Sequence, residues 1–165
     1  MDGQNAIGAP VVETAREFTA LLPGGGALIG LDLGTQTIGV ATCDAGWRFA
    51  TAGNTLPRGK FGADAAKLSE LAAARSIAGL VIGLPRNMDG SEGPRAQASR
   101  AYARNLAAKL ALPVLLWDER WSTQSAERDL IAQDTSRRKR GAVIDSHAAA
   151  VILQGAIDAL AGGTL

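Results

Sequence analysis

The six residues Gly79-Leu80-Val81-Ile82-Gly83-Leu84 constrain this chain most, because none of them is polar. A strand with one wet face alternates apolar and polar residues; a strand without alternation needs cover on both faces, as in a parallel sheet flanked by helices. The surrounding pattern agrees. Strands are predicted over Ala27–Leu33, Thr37–Thr42, Trp47–Leu56, Gly79–Leu84 and Pro113–Trp117. Helices are predicted over Ala63–Arg75, Pro94–Leu110, from Ser122 or Thr123 to Ala132, and from Val143 to Gly162. Three strands, a helix and then alternating strands and helices make an α/β fold: a five-stranded mixed sheet with helices on both faces. At 165 residues the chain fits one domain over 27–165. Residues 1–26 form an N-terminal extension with a short helix over Val11–Leu22, broken by Pro23-Gly24-Gly25-Gly26. Gln133 to Arg140 is read as a polar, basic loop.

One strand carries a residue that does not belong in it. In Ala27-Leu28-Ile29-Gly30-Leu31-Asp32-Leu33-Gly34-Thr35, Asp32 is a carboxylate within an apolar run. Aspartate is depleted in strands and costly to bury unpaired. Alternation puts Leu28, Gly30 and Asp32 on one face, and Gly30 and Gly34 leave room beside the carboxylate. Asp118 and Glu119 end the Pro113–Trp117 strand, and Asp145 opens the last helix. Functional groups in open α/β sheets gather at the carboxyl ends of strands, so Asp32 and Glu119 could be neighbours there. Ala148, Ala149 and Ile152 give the Asp145 side of its helix a small, apolar surface that can lie close to the sheet. Clustered carboxylates without imidazole or thiolate suit a hard cation, Mg²⁺ or Mn²⁺. Two such ions could activate a water and stabilise the leaving oxygen of a phosphodiester. Plainer readings exist: Asp118 and Glu119 as strand-end charges beside Arg120, and Asp145 as a helix cap.

Composition narrows the partners. A net charge of +1 gives no global attraction for nucleic acid, so basic residues must be concentrated locally. Arg86, Arg95 and Arg100 flank the loop Pro85–Gly93, where free amides and a helix N-terminus favour an anion. Arg137-Arg138-Lys139-Arg140 precedes Asp145. A single cysteine, Cys43, makes an internal disulfide impossible, and the single His147 excludes a histidine-rich metal site. No apolar run is long enough to span a membrane, and no signal peptide is evident, so a cytoplasmic location is expected.

Four segments together resemble the YqgF/RuvX family, relatives of the RuvC Holliday junction resolvases. They are Gly30-Leu31-Asp32-Leu33-Gly34-Thr35 with Ile38-Gly39-Val40-Ala41; Val81-Ile82-Gly83-Leu84-Pro85 with Asn87-Met88-Asp89-Gly90-Ser91-Glu92-Gly93-Pro94-Arg95; Trp117-Asp118-Glu119-Arg120 with Ser122-Thr123; and Asp145 with Ala148-Ala149 and Ile152-Leu153-Gln154. The resemblance implies an RNase H-like fold and a metal-dependent nuclease, a hydrolase of ester bonds. It implies trimming of the 5′ end of precursor 16S ribosomal RNA, with Asp32, Glu119 and Asp145 as catalytic metal ligands and Asp118 as a fourth. Arg86, Arg95, Arg120, Arg137, Arg138, Lys139 and Arg140 are the expected nucleic-acid contacts, with structured RNA, branched DNA or a ribosomal precursor particle as partner. A monomer or a homodimer is expected. Two departures from the family pattern stand out: Gln36 and Thr37 stand where many relatives carry a basic residue, and Trp121 replaces a commoner leucine.

Three other functions fit parts of the pattern. A junction resolvase needs two paired cuts, which dimers supply. Asp32-Leu33-Gly34-Thr35 also resembles the phosphate-binding turn of actin- and Hsp70-like ATPases, but those need two domains and a second phosphate loop. A non-catalytic ribosome-assembly or transcription-associated module would bind RNA without needing its acids.

Overall fold

The computed structural model describes residues 9–120 and 137–162, with side chains for all of these except 137–145. Its elements run β1 (Val11–Val12), α1 (Ala15–Leu21), β2 (Ala27–Leu33), β3 (Thr37–Cys43), β4 (Ala50–Ala52), β5 (Leu56–Pro57), α2 (Phe61–Ala74), β6 (Ile77–Leu84), α3 (Pro94–Leu110), β7 (Val114–Asp118) and α4 (Arg137–Gly162). The strands make one mixed sheet in the order β1-β7-β6-β2-β3-β4, with β5 also paired to β3. Strands β2, β6, β7 and β1 are parallel to their neighbours, and β2–β3, β3–β4 and β3–β5 are antiparallel.

The two faces of the sheet are packed separately. Ile29, Leu31 and Leu33 of β2 join Leu80, Ile82 and Leu84 of β6 under α2 and α3. Leu28, Val81 and Leu115 lie on the opposite face under α1 and α4. Adjacent residues point to opposite faces, and both faces are covered. This is why β6 reads as apolar throughout. Gly30 lets α4 sit close: a Cβ there would lie 2.7 Å from the Leu153 Cβ and 3.2 Å from the Ala149 carbonyl oxygen.

Several elements differ from expectation. The predicted helix over Val11–Leu22 begins only at Ala15, where the Thr14 hydroxyl caps it by accepting from the Glu17 amide at 3.1 Å. Val11 and Val12 instead pair with Val114 and Leu115 of β7, as suits β-branched residues beside an open edge. The predicted third strand, Trp47–Leu56, is two short strands. The Gly53 amide continues the β3–β4 register to the Val40 carbonyl at 2.6 Å; Asn54 and Thr55 then lie opposite Gly39 alone, and the chain rejoins β3 at Leu56 with its register shifted by one. The last helix begins at Arg137, six residues before the predicted Val143, so 137–140 is helical and not loop. Arginine and lysine are good helix formers, and a charge run at a helix start is easily mistaken for a loop. The helix predicted over 122–132 lies outside the described residues. Among the described residues, no helix is long and apolar enough to cross a membrane.

Candidate active site

The sheet order places three strand ends side by side: β7, β6 and β2. Leu31 pairs with Ile82, and Gly83 pairs with Trp117, so Gly83 lies between the ends of β2 and β7. Asp32 follows Leu31 in β2, on the face that Gly30 presents to α4. Glu119 follows β7, its amide held by the Leu84 carbonyl at 3.3 Å. Its carboxylate turns back over Gly83, occupying the space that a Cβ there would fill, with Ile152 of α4 alongside. Gly83 therefore works by lacking a side chain, and the two acids come together across it.

The electrostatics follow from this placement. Burial pushes the Glu119 carboxyl up to about 7, and the Asp32 charge adds to the effect. Arg95 opposes the shift, without forming an ion pair to Glu119. Arg95 instead donates from Nη2 to the Leu33 carbonyl at 3.1 Å. Two carboxylates facing one another in a partly dry site make an oxygen-only donor set, which fits a hard divalent cation. No group of three His, Cys, Asp or Glu placed to share a metal ion occurs among the described residues. Asp145 lies on α4 one turn before Ala149, which packs against Gly30, but its side chain is outside the described set.

Asp118 has a different environment. Its Oδ1 accepts from the Arg120 amide and Nε at 3.1 Å, and its Oδ2 accepts from Arg120 Nε at 3.0 Å and Nη2 at 2.7 Å. Arg86 approaches the same oxygen at 3.5 Å. Partial burial opposes ionisation of Asp118, yet the Arg120 hydrogen bonds outweigh it and hold the carboxyl below its usual range. Arg86 also reaches Glu13 and Glu92, each at 3.2 Å. Arg100 bridges the same two acids, at 2.9 Å to Glu13 and 2.7 Å to Glu92. Hydrogen bonds from Arg100 pull the Glu92 carboxyl down to about 2 despite some desolvation.

The sequence-predicted cations thus divide. Arg86 and Arg120 lie near the acids but are engaged by carboxylates, whereas Arg95 is not. Arg137, Arg138, Lys139 and Arg140 begin α4, and their side chains lie outside the described residues. The expected anion cradle of free loop amides is absent at three positions, because the 85–93 loop uses those amides itself. Asn87 donates to the Ser91 carbonyl, Gly90 to the Asn87 carbonyl and Ser91 to Asp89 Oδ1, all within 3 Å.

Sequence reasoning missed Arg58. It follows β5, donates from Nη1 to the Gly34 carbonyl at 2.6 Å, and lies 5.1 Å from the Tyr102 ring centroid. The Tyr102 hydroxyl donates to Asp64 at 3.4 Å, and Asp64 is 2% exposed. Burial and the Asp64 charge keep the phenol protonated. The only sequence signal was a lone arginine closing a weak strand.

Comparison with known proteins gives consistent results. The RuvX family, described as Holliday junction resolvase, matches residues 26–159. A Novosphingobium aromaticivorans protein named "Putative pre-16S rRNA nuclease" is 63% identical over 152 residues, covering 92% of this chain and 97% of that protein. A Sphingopyxis alaskensis protein of the same name is 60% identical over 150 residues, covering 91% and 98%. Among solved structures, T. thermophilus RuvC in complex with Holliday junction substrate superposes with a TM-score of 0.55 at 13% identity, over 84% of this chain and 98% of that one. That likeness concerns the fold, and it agrees with the RNase H-like architecture expected above. With a family match across most of its length and relatives this similar, the chain belongs to the RuvX family of Holliday junction resolvases.

Proposed function

We propose that this chain is a divalent-metal-dependent endonuclease that hydrolyses phosphodiester bonds, trimming the 5′ end of precursor 16S ribosomal RNA. The carrying observation is Glu119: a carboxylate folded over Gly83, facing Asp32, with burial and the Asp32 charge both disfavouring its ionised form. Two acids brought together in a partly buried site are suited to binding a hard cation. Asp32, Glu119 and Asp145 are the proposed ligands for Mg²⁺ or Mn²⁺. Asp118 is left out, because both its oxygens accept from Arg120. The ions, when bound, acidify water and neutralise charge growing on the leaving oxygen. A water oxygen bonds to phosphorus as the bond to the leaving oxygen breaks, and that oxygen takes up a proton.

The protein groups then have defined tasks. Asp32 and Glu119 supply donors from two strand ends, Gly83 keeps the space between them open, and Ile152 closes the inner side against water. Arg95 offsets negative charge near Glu119. The names of the relatives support the RNA substrate, and on this reading the chain acts in the cytoplasm on a ribosomal precursor particle. The family description favours a second substrate, the four-way DNA junction. One assay separates them: precursor 16S RNA and a four-way junction offered side by side, with Mg²⁺, Mn²⁺ or chelator. Asp32→Asn is expected to lose cleavage by roughly a thousandfold while RNA binding persists. Equal cleavage by variant and wild type would overturn the assignment, and cleavage of the junction alone would replace the substrate.

A further inference from the structure

The arginines near the site differ in what holds them. Arg86, Arg100 and Arg120 are each in ion pairs. Arg58 and Arg95 form none among the described residues; both donate to main-chain carbonyls, of Gly34 and Leu33 respectively. Those carbonyls lie one and two residues beyond Asp32. Between the two guanidiniums is a cavity of about 190 Å³, lined also by Thr35, Pro94 and Ser99 and by no acidic residue. A second cavity of about 250 Å³ shares Pro94 and Arg95 and extends to Arg86 and Asn87. The groove therefore runs along the edge of the sheet, past the ends of β2 and β6. Pro94 begins the 17-residue helix α3, whose N-terminal dipole points at the same space.

Arg58 is held in place by several contacts. Its main-chain amide bonds to the Gln36 carbonyl at 2.9 Å, fixing its base to the β2–β3 turn. Its guanidinium is supported by Tyr102, which is in turn fixed by the buried Asp64. Asp64 also accepts from the Gly59 amide at 3.0 Å. Among the described residues this support leaves the guanidinium without a carboxylate partner, and its neighbour Arg95 has none either. Two guanidiniums lining one small cavity can donate to the oxygens of a phosphate diester.

Resting on the nuclease reading above, we infer that Arg58 and Arg95 form a phosphate subsite that grips the substrate backbone beside the hydrolysed bond. Asp32 faces α4, whereas this cavity opens on the α3 side of the same edge, so a strand crossing the edge meets both. Arg58 is a binding residue here, and Tyr102 and Asp64 are positioning residues that act through it.

The test is binding, without cleavage. Full-length protein is titrated into fluorescent precursor 16S leader RNA with chelator present, over a series of salt concentrations. Arg58→Met and Arg95→Met are each expected to weaken binding about tenfold and to reduce the slope of log affinity against log salt by about 0.7. Lys67→Met, which removes one charge away from the groove, should leave the slope unchanged. Arg58→Lys keeps the charge and loses the fork; it should retain the slope and lose part of the affinity, and it carries the test if Arg58→Met does not fold. An unchanged slope in Arg58→Met, or an equal fall in Lys67→Met, would overturn the subsite. A protein that shows the predicted slopes but never cleaves with metal would instead defeat the nuclease reading and leave the subsite standing.

Discussion

Acids in two different environments occupy the same edge of this sheet, and Glu119 shifts in the opposite direction to Glu13, Glu92 and Asp118. Glu13, Glu92 and Asp118 form an outer group beside β1 and β7, where Arg86, Arg100 and Arg120 hold them ionised. Glu119 lies inside, over β6 and beside Asp32, where burial raises its carboxyl and no arginine among the described residues forms an ion pair with it. The outer group shows what this fold does with acids that serve its stability: it pairs them. Glu119 is left costly to ionise. Cost that the fold does not relieve is the mark of a site that waits for a ligand.

The sharpest way to break this contrast is at Gly83. The added Cβ of Gly83→Ala would collide with the Glu119 carboxylate and lie 2.7 Å from the Ile152 Cδ1. Both are the ends of flexible side chains, so they can move aside and stability should fall by only about 1 kcal/mol. Cleavage should fall about a hundredfold, because Glu119 can no longer lie beside Asp32. Turnover measured alongside thermal unfolding would show this, and equal losses in both would mean Gly83 is merely structural.

A second test uses pH. Between the ordinary 4.5 and about 7, folded Glu119 keeps a proton that the unfolded chain has released. Metal-free stability therefore declines as pH rises through that window and stays low above it. Glu119→Gln should remove the decline, leaving the variant on the order of 2 kcal/mol more stable than wild type at pH 8 and no better at pH 4. Denaturant titrations in chelator check this; parallel curves for the two proteins would refute the inner environment.

The outer group predicts the reverse sign. Glu92 is depressed to about 2, so its contribution is full above 4.5 and lost as pH falls toward 2. Arg100→Met should cost about 1 kcal/mol at pH 7, a modest value because the network is partly exposed. That difference should shrink steadily below pH 4.5, as urea unfolding at pH 7 and pH 3 would reveal.

How far the sequence could foretell this depends on the range of the interaction. Strand β2 and its misplaced Asp32 were legible because alternation is local, and α3 was legible because Pro94 marks its start. A two-residue strand such as β1 has too little periodicity to announce itself, and it exists only because β7 offers an edge. The division of Trp47–Leu56 comes from a one-residue shift in its pairing with β3 after Gly53, which no local pattern announces. In the site, acids at strand ends could be named as candidates from residue type. Which arginines are spent on them could not, since Glu13 and Arg100 are 87 positions apart in sequence. Arg58 was invisible for the same reason: its support comes from Tyr102 on α3, 44 positions further along the sequence.

The short strand β1 also bears on how copies of this protein meet. A parallel sheet that ended at β7 would offer a row of unpaired main-chain groups, a template on which another chain could polymerise. Val11 and Val12 cover the start of that row, at Val114 and Leu115, and Glu13 then pins the cover through Arg86 and Arg100. Any assembly that joins two copies through this edge must first peel the segment away and break its ion pairs. Self-association by strand addition is thus guarded by the same residues that neutralise the outer acids.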